Sequence, residues 1–194
     1  EHMRSQVPIP RNMKIYPQYL REAGYYTTNN SKQDYNIDQN TPGWDESSRN
    51  AHWKNRPEGK PFFAIFNTNL THESCLHPSR NTVEAKVPLE KIRVPAYLPD
   101  TETVRERISA YYTRIHEMDS YMGDRIKELE DAGLLEDTII FYYSDHGGIM
   151  PRSKRFIYDS GTHVPLIVRV PKKWAHLMPH KTGTRTEEIV AFVD

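Results

Sequence analysis

Residues 138–171 read TIIFYYSDHGGIMPRSKRFIYDSGTHVPLIVRVP, and the fold is decided here. Thr138 to Tyr143 are all β-branched or aromatic, and the run stops at a polar, glycine-containing turn, which reads as a buried strand. That strand ends in Ser144-Asp145-His146-Gly147-Gly148. A second apolar run, Val164-Pro165-Leu166-Ile167-Val168-Arg169-Val170, closes before Pro171. Between the two lies a polar segment carrying Lys154, flanked by Arg152 and Arg155.

Upstream stands the longest periodic element, residues 102–132. Val104, Ile108, Tyr111, Ile115, Met118, Met122, Ile126 and Leu129 recur at threes and fours, one face of a helix, and Gly133 ends it. Before it, Pro61-Phe62-Phe63-Ala64-Ile65-Phe66-Asn67 is a continuous apolar run, the mark of a buried parallel strand. Strand, long helix, strand implies a right-handed crossover and a mostly parallel α/β sheet. Further out, residues 13–23 suit a helix with Pro17 in its first turn and Gly24 as its stop, and Tyr25–Thr28 suits a short strand. Residues 35–60 and 73–101 read as surface loops. There is no internal repeat.

Lysine plus arginine equals aspartate plus glutamate, 26 each, so no basic excess points to nucleic acid. Apolar residues make up only 37% of the chain but are gathered into strong runs, which fits a folded domain with long polar loops. No run approaches the ~20 residues that span a bilayer, so no membrane partner is expected. One cysteine rules out an internal disulfide. The opening, EHMRSQVPIP, shows no signal peptide and reads as the middle of a longer protein.

In open α/β sheets ligands bind beyond the carboxyl ends of strands. Three polar clusters fall at such ends: Asn29–Asp34, Asn67–His72 and Asp145–Gly148. Each alone reads as a capping or turn cluster. Together, each with a lysine or a histidine, they read as a site.

On these residues the chain resembles the type I, formylglycine-dependent sulfatases of the alkaline phosphatase superfamily. Residues 138–171 follow that family's order: a hydrophobic strand, Ser-Asp-His/Asn-Gly, a loop with lysine, Tyr-(Asp/Glu)-x-Gly, then Val-Pro-Leu-Ile-Val. The helix ending Tyr-Leu-Arg-x-Ala-Gly-Tyr, a lysine after the next strand, and the strand leading to Thr71-His72 agree with it too. The resemblance implies an α/β fold with a mostly parallel sheet and helices on both faces. It implies that residues 1–194 are an internal part of the catalytic domain, lacking the nucleophile segment and the C-terminal subdomain.

Roles carry over by resemblance, residue by residue. Asp145 and His146 fall on two ligands of a divalent metal, usually Ca2+. Lys154 and Lys32 fall on lysines that contact sulfate. His72 falls on a histidine that donates a proton to the leaving group. Asp34 stands where many relatives have a histidine that bonds the formylglycine hydroxyl, and a carboxylate there suits a base that releases sulfate. Ser31 replaces a glycine of the same segment. His163 and Asp119 read as structural. Trp44, His52 and Trp53 read either as sugar-stacking groups or as ordinary surface aromatics.

The family's nucleophile motif is Cys-x-Pro-Ser-Arg. Cys75-Leu76-His77-Pro78-Ser79-Arg80 has one residue too many, and it follows the Thr-His strand instead of preceding it. We therefore read Cys75 as a coincidence and expect the formylglycine upstream of this chain. The implied activity is hydrolysis of a sulfate ester or sulfamate on a sulfated carbohydrate, with the present chain inactive alone. The implied partner is a sulfated small molecule or glycan, and the implied destination of the parent is the periplasm, the extracellular space or the lysosome. Two other readings stand beside this one: a phosphodiesterase or phosphonate hydrolase of the same superfamily, and a non-catalytic piece that binds sulfated glycans.

Overall fold

The structure, a computed structural model, describes residues 6–37, 43–77 and 83–192. The chain divides into two units, Glu1–Thr68 and Asn69–Asp194.

The first unit opens with helix α1, Tyr16–Glu22, with Pro17 in its first turn, where a missing N–H costs nothing. Gly24, at φ 93°, turns the chain into strand β1, Tyr26–Asn30. β1 is the centre of a parallel three-stranded sheet, between β2 (Glu46–Ser47) and β3 (Phe62–Phe66). The β1–β3 register runs from Tyr26 opposite Phe62 to Asn30 opposite Phe66. β1 reaches two residues past the expected Thr28, because the side chains of Asn29 and Asn30 find partners there: Asn30 Nδ2 donates to the carbonyls of Arg49 (2.9 Å) and Ala51 (3.1 Å).

Residues 43–60 are not the surface loop their composition suggests; residues 38–42 lie outside the described residues. Trp44, Ala51 and Trp53 are buried. Phe62 and Phe63 are successive strand residues, so their rings face opposite sides of the sheet. Trp53 stacks on Phe62 (centroids 5.4 Å, 23° between planes) and Trp44 on Phe63 (6.0 Å, 16°), one tryptophan for each face. Both indoles are therefore core, not a sugar platform. Asp45, next to Trp44, fixes the segment: its Oδ2 accepts from Thr27 N (2.8 Å) and Thr27 Oγ1 (3.0 Å).

The second unit is built on α2, Glu102–Asp131, capped by the Thr101 hydroxyl, which accepts from Val104 N, and ended at Gly133 with φ 68°. The sequence expectation of 102–132 agrees within one residue. The burial differs in kind. Besides Ile108, Ala110 and Leu129, α2 buries two hydroxyls, Ser109 and Thr113. Ser109 Oγ accepts from Val87 N (3.1 Å) and donates to Val87 O (2.6 Å), and Thr113 Oγ1 accepts from Lys86 N (3.2 Å). Arg105 adds bonds to the carbonyls of Leu89 and Ile92, both 2.9 Å. The stretch expected to be loop is thus strapped along the helix by its backbone, with short 3-10 turns at Glu73–Leu76 and Leu89–Lys91.

Strands β4 (Ile140–Tyr143) and β5 (Leu166–Arg169) pair antiparallel, with Ile140 opposite Arg169 and Tyr143 opposite Leu166. Parallel and antiparallel pairings both occur, so the sheet content is mixed. The connection between β4 and β5 holds one short helix, α3, Asp159–Thr162.

Candidate active site

In the second unit, His72 closes a turn, its N–H donating to Asn69 O at 3.1 Å, and caps the next turn, Glu73–Leu76. Its Nδ1 accepts the Ser74 N–H at 3.3 Å and lies 2.9 Å from Ser74 Oγ. A backbone N–H can only donate, so Nδ1 carries no proton and the neutral ring holds its proton on Nε2. That Nε2 is 3.3 Å from Lys154 Nζ. Glu73 reaches the same loop: its Oε2 is 3.8 Å from Lys154 Nζ, and its Oε1 accepts from Arg155 Nη2 at 2.7 Å. Two nitrogen donors, one of them cationic, therefore share one small space. Their common complement is an anionic oxygen.

The loop that carries Lys154 is tightly built. Lys154 N donates to Gly148 O (3.0 Å) and Gly147 N to Gly161 O (2.9 Å). A Cβ at Gly147 would collide with Ser160 O, and one at Gly161 with Phe156 O, so only glycine permits these approaches. At the mouth of the loop, Asp145 is exposed and its Oδ2 lies 3.7 Å from His146 Nε2. His146 Nδ1 is 2.8 Å from Gly147 O, a pure acceptor, so the proton sits on Nδ1 and the Nε2 lone pair faces the carboxylate. A carboxylate and an imidazole lone pair suit a divalent cation, but they supply few of the 6–8 positions calcium fills. Among the described residues no group of three or more His, Cys, Asp or Glu side chains gathers for a metal.

Lys32 and Asp34 belong to the first unit, with Nζ and Oδ2 3.8 Å apart and both side chains about half exposed. The turn that presents them is held by Asn29. This buried side chain donates to Lys32 O (2.9 Å) and Ser47 Oγ (3.1 Å) and accepts from Asn67 Nδ2 (3.0 Å). Cys75 is buried in the turn Glu73–Leu76, and burial pushes its thiol up, against a smaller opposing pull from Arg114. A neutral, buried thiol is inert. Pro78 to Arg80 lie outside the described residues.

Comparison with known proteins fits this geometry. The Sulfatase family model matches residues 45–194. The chain belongs to the sulfatase family. An "Ulvan-active sulfatase" of Formosa agariphila is 39% identical over 95% of this chain and 36% of its own length. The human "N-sulphoglucosamine sulphohydrolase" is 34% identical over 58% of this chain and 21% of its own length. "Arylsulfatase K" of Bos taurus is 24% identical over 90% of this chain and 38% of its own length. The chain thus spans well under half the length of these relatives. Its fold class is the α/β class of the sulfatases.

Within this sulfatase chain, three residues contribute to the geometry to which sequence reasoning gave no role, Asn29 having been named only as part of a cluster. Glu73 ties Lys154 and Arg155 to the His72 turn, Ser74 fixes the His72 ring, and Asn29 holds the Lys32 turn. Glu73 and Ser74 had a signal: they directly follow a histidine in a polar stretch, a setting in which a side chain caps the next turn. His52 repeats the arrangement, its Nδ1 accepting from Lys54 N at 3.1 Å, which makes it a turn cap. His163, the residue that follows α3, is exposed, with its Nδ1 3.5 Å from Asp159 Oδ1.

Proposed function

We propose that the protein containing this chain hydrolyses a sulfate ester or sulfamate on a carbohydrate. The observation that carries this reading is the approach of His72 Nε2 to within 3.3 Å of Lys154 Nζ, two donors that do not bond to each other, with Nδ1 tied to the Ser74 N–H. In this reading both nitrogens donate to the oxygen or nitrogen that links sulfur to the sugar. Lys154 offsets the charge that develops on it and His72 gives it a proton. Glu73 keeps the ammonium in place. Asp145 and His146 hold a divalent cation, calcium in most of the family, together with ligands from outside this chain; when bound, it adds positive charge against the sulfate. Lys32 as a sulfate contact and Asp34 as a base rest on the resemblance alone. The nucleophile, formylglycine in this family, is not supplied by Cys75, so we expect the 194-residue chain to be inactive by itself. The names of the relatives, which act on ulvan and on sulfated glucosamine, favour a carbohydrate and hence an exported protein. Among the described residues no helix is long and apolar enough to cross a membrane.

Leaving-group dependence tests the assignment. A sugar alkoxide departs poorly and needs a proton; nitrophenolate is a stable anion and does not. Replacing His72 with alanine in the full-length protein should lower kcat/KM for a sulfated sugar by about 10²–10⁴, the usual worth of general acid help, and spare nitrophenyl sulfate. Lys154→Ala should impair both substrates. Equal losses on the two substrates in the His72 variant would sink the proton-donor role.

A further inference from the structure

We propose that Arg152 forms a subsite for an anionic group, carboxylate or sulfate ester, on a sugar next to the one that reacts. Arg152 sits in the loop of the proposed sulfate contact, two residues before Lys154, so their backbones are at most about 7 Å apart. It is exposed, yet it is not a loose surface arginine. Its backbone adopts φ 68°, a conformation uncommon for a side-chain-bearing residue, and the Ser160 hydroxyl donates to its carbonyl at 2.8 Å. Its guanidinium lies against two tyrosine rings, with Cζ 4.9 Å from the Tyr97 centroid and 5.1 Å from that of Tyr158. Both ends of the residue are therefore fixed.

What the guanidinium lacks is an acid. Arg155 pairs with Glu73, Arg105 with Asp100, Arg114 with Glu117 and Arg169 with Glu136, whereas no carboxylate among the described residues pairs with Arg152. The two rings lie against the guanidinium carbon, and the five N–H donors lie in the plane of the group, along its edge. An edge of that kind matches two oxygens of a carboxylate or a sulfate in a bidentate contact. Tyr97 and Tyr158 add apolar rims of the sort sugar rings pack on. Strain held in place next to a reacting centre is a pattern of ligand clamps. The inference rests on the carbohydrate sulfatase reading above and names the substrate class more narrowly, as a polyanionic glycan.

Binding by the 194-residue chain provides the test, with three tetrasaccharide probes: an oligogalacturonate (carboxylates only), a carrageenan type (sulfates only) and cellotetraose (neutral). Isothermal titration would compare wild type with Arg152→Lys, Arg152→Ala and Lys154→Ala. Arg152→Lys keeps the charge and loses the fork. It should weaken at least one acidic probe by about tenfold, the scale of one charge-assisted bond, and leave cellotetraose unchanged. The probe that responds tells whether carboxylate or sulfate is read. Lys154→Ala should weaken only the sulfated probe. If Arg152 matters and Lys154 does not, the subsite stands and the sulfatase assignment of Lys154 fails. Binding of both acidic probes within twofold of wild type in both Arg152 variants, or an equal loss on cellotetraose, overturns the subsite.

Discussion

Replacing Asp45 with alanine removes one carboxylate on which the first unit depends at two places. Its Oδ2 accepts from the backbone N–H and the hydroxyl of Thr27, and its Oδ1 accepts from Arg21 Nε at 3.1 Å. Thr27 is fully buried in the central strand, so its N–H would be left without a partner. An unsatisfied buried donor costs about 1–3 kcal/mol. The Arg21 contact is partly exposed and contributes about 0–1 kcal/mol. The expected loss at pH 7 is therefore about 1–4 kcal/mol, most of it from the hydrogen bonding to Thr27.

The same carboxylate predicts a pH dependence. Burial alone would raise the Asp45 carboxyl, but the Thr27 N–H and hydroxyl, with Arg21, outweigh it and hold the group below its ordinary value of 3.8. A group depressed in the folded state contributes stability that is fully present above its unfolded value and is lost as pH falls through the folded one. The gap between wild type and Asp45→Ala should thus be constant above about pH 5 and shrink below pH 4. Urea unfolding followed by tryptophan fluorescence reports on this unit, because Trp44 and Trp53 are buried in it. A gap under about 0.5 kcal/mol at pH 7, or one that does not change between pH 6 and 3, would refute the reasoning.

Two other outcomes can be checked on the same protein. Cys75, buried and with its thiol pushed up, should react with an aromatic disulfide reagent many times more slowly in the native protein than in urea, and mass spectrometry should find it as cysteine; a formylglycine at position 75 would overturn our placement of the nucleophile. Calcium should bind the 194-residue chain more weakly than about 10⁻³ M, because Asp145 and His146 leave most of its coordination to water, and Asp145→Ala should remove the residual binding; micromolar affinity would show a ligand set we have not identified.

The long helix and the three strong strands were legible because each carries its own period. Apolar residues at threes and fours mark Glu102–Asp131, and short runs rich in β-branched, aromatic and other apolar residues mark 62–66, 140–143 and 166–169. The segment 43–60 was not legible, because its contribution is not periodic. Trp44 and Trp53 stand nine residues apart among Asp, Ser, Asn and Lys, and their burial depends on Phe62 and Phe63 presenting opposite faces of a strand. Likewise Ser109 and Thr113 look like breaks in an apolar stripe, when they are the hydroxyls that hold the backbone of Lys86 and Val87. Pattern reading measures hydrophobicity, and these residues are buried for their hydrogen bonds.

The candidate site shows the same division. Asp145, His146, Lys154 and His72 were singled out because they follow strands in an order that resembles the family's. The residues that set their chemistry were not, because each acts on a neighbour through one bond. The Ser74 N–H decides which nitrogen of His72 carries the proton, and the Gly147 carbonyl decides the opposite for His146. In one histidine the donor Nε2–H faces Lys154; in the other the Nε2 lone pair faces Asp145. Two histidines of identical sequence character are thereby held in opposite tautomers, as the tasks proposed for them, giving a proton and holding a cation, require. A side chain's identity fixes what it can do, but its backbone neighbour fixes which of the two it does. That neighbour is set by local turn geometry: a 3-10 turn after His72, and a glycine pair packed against Ser160 and Tyr111 after His146.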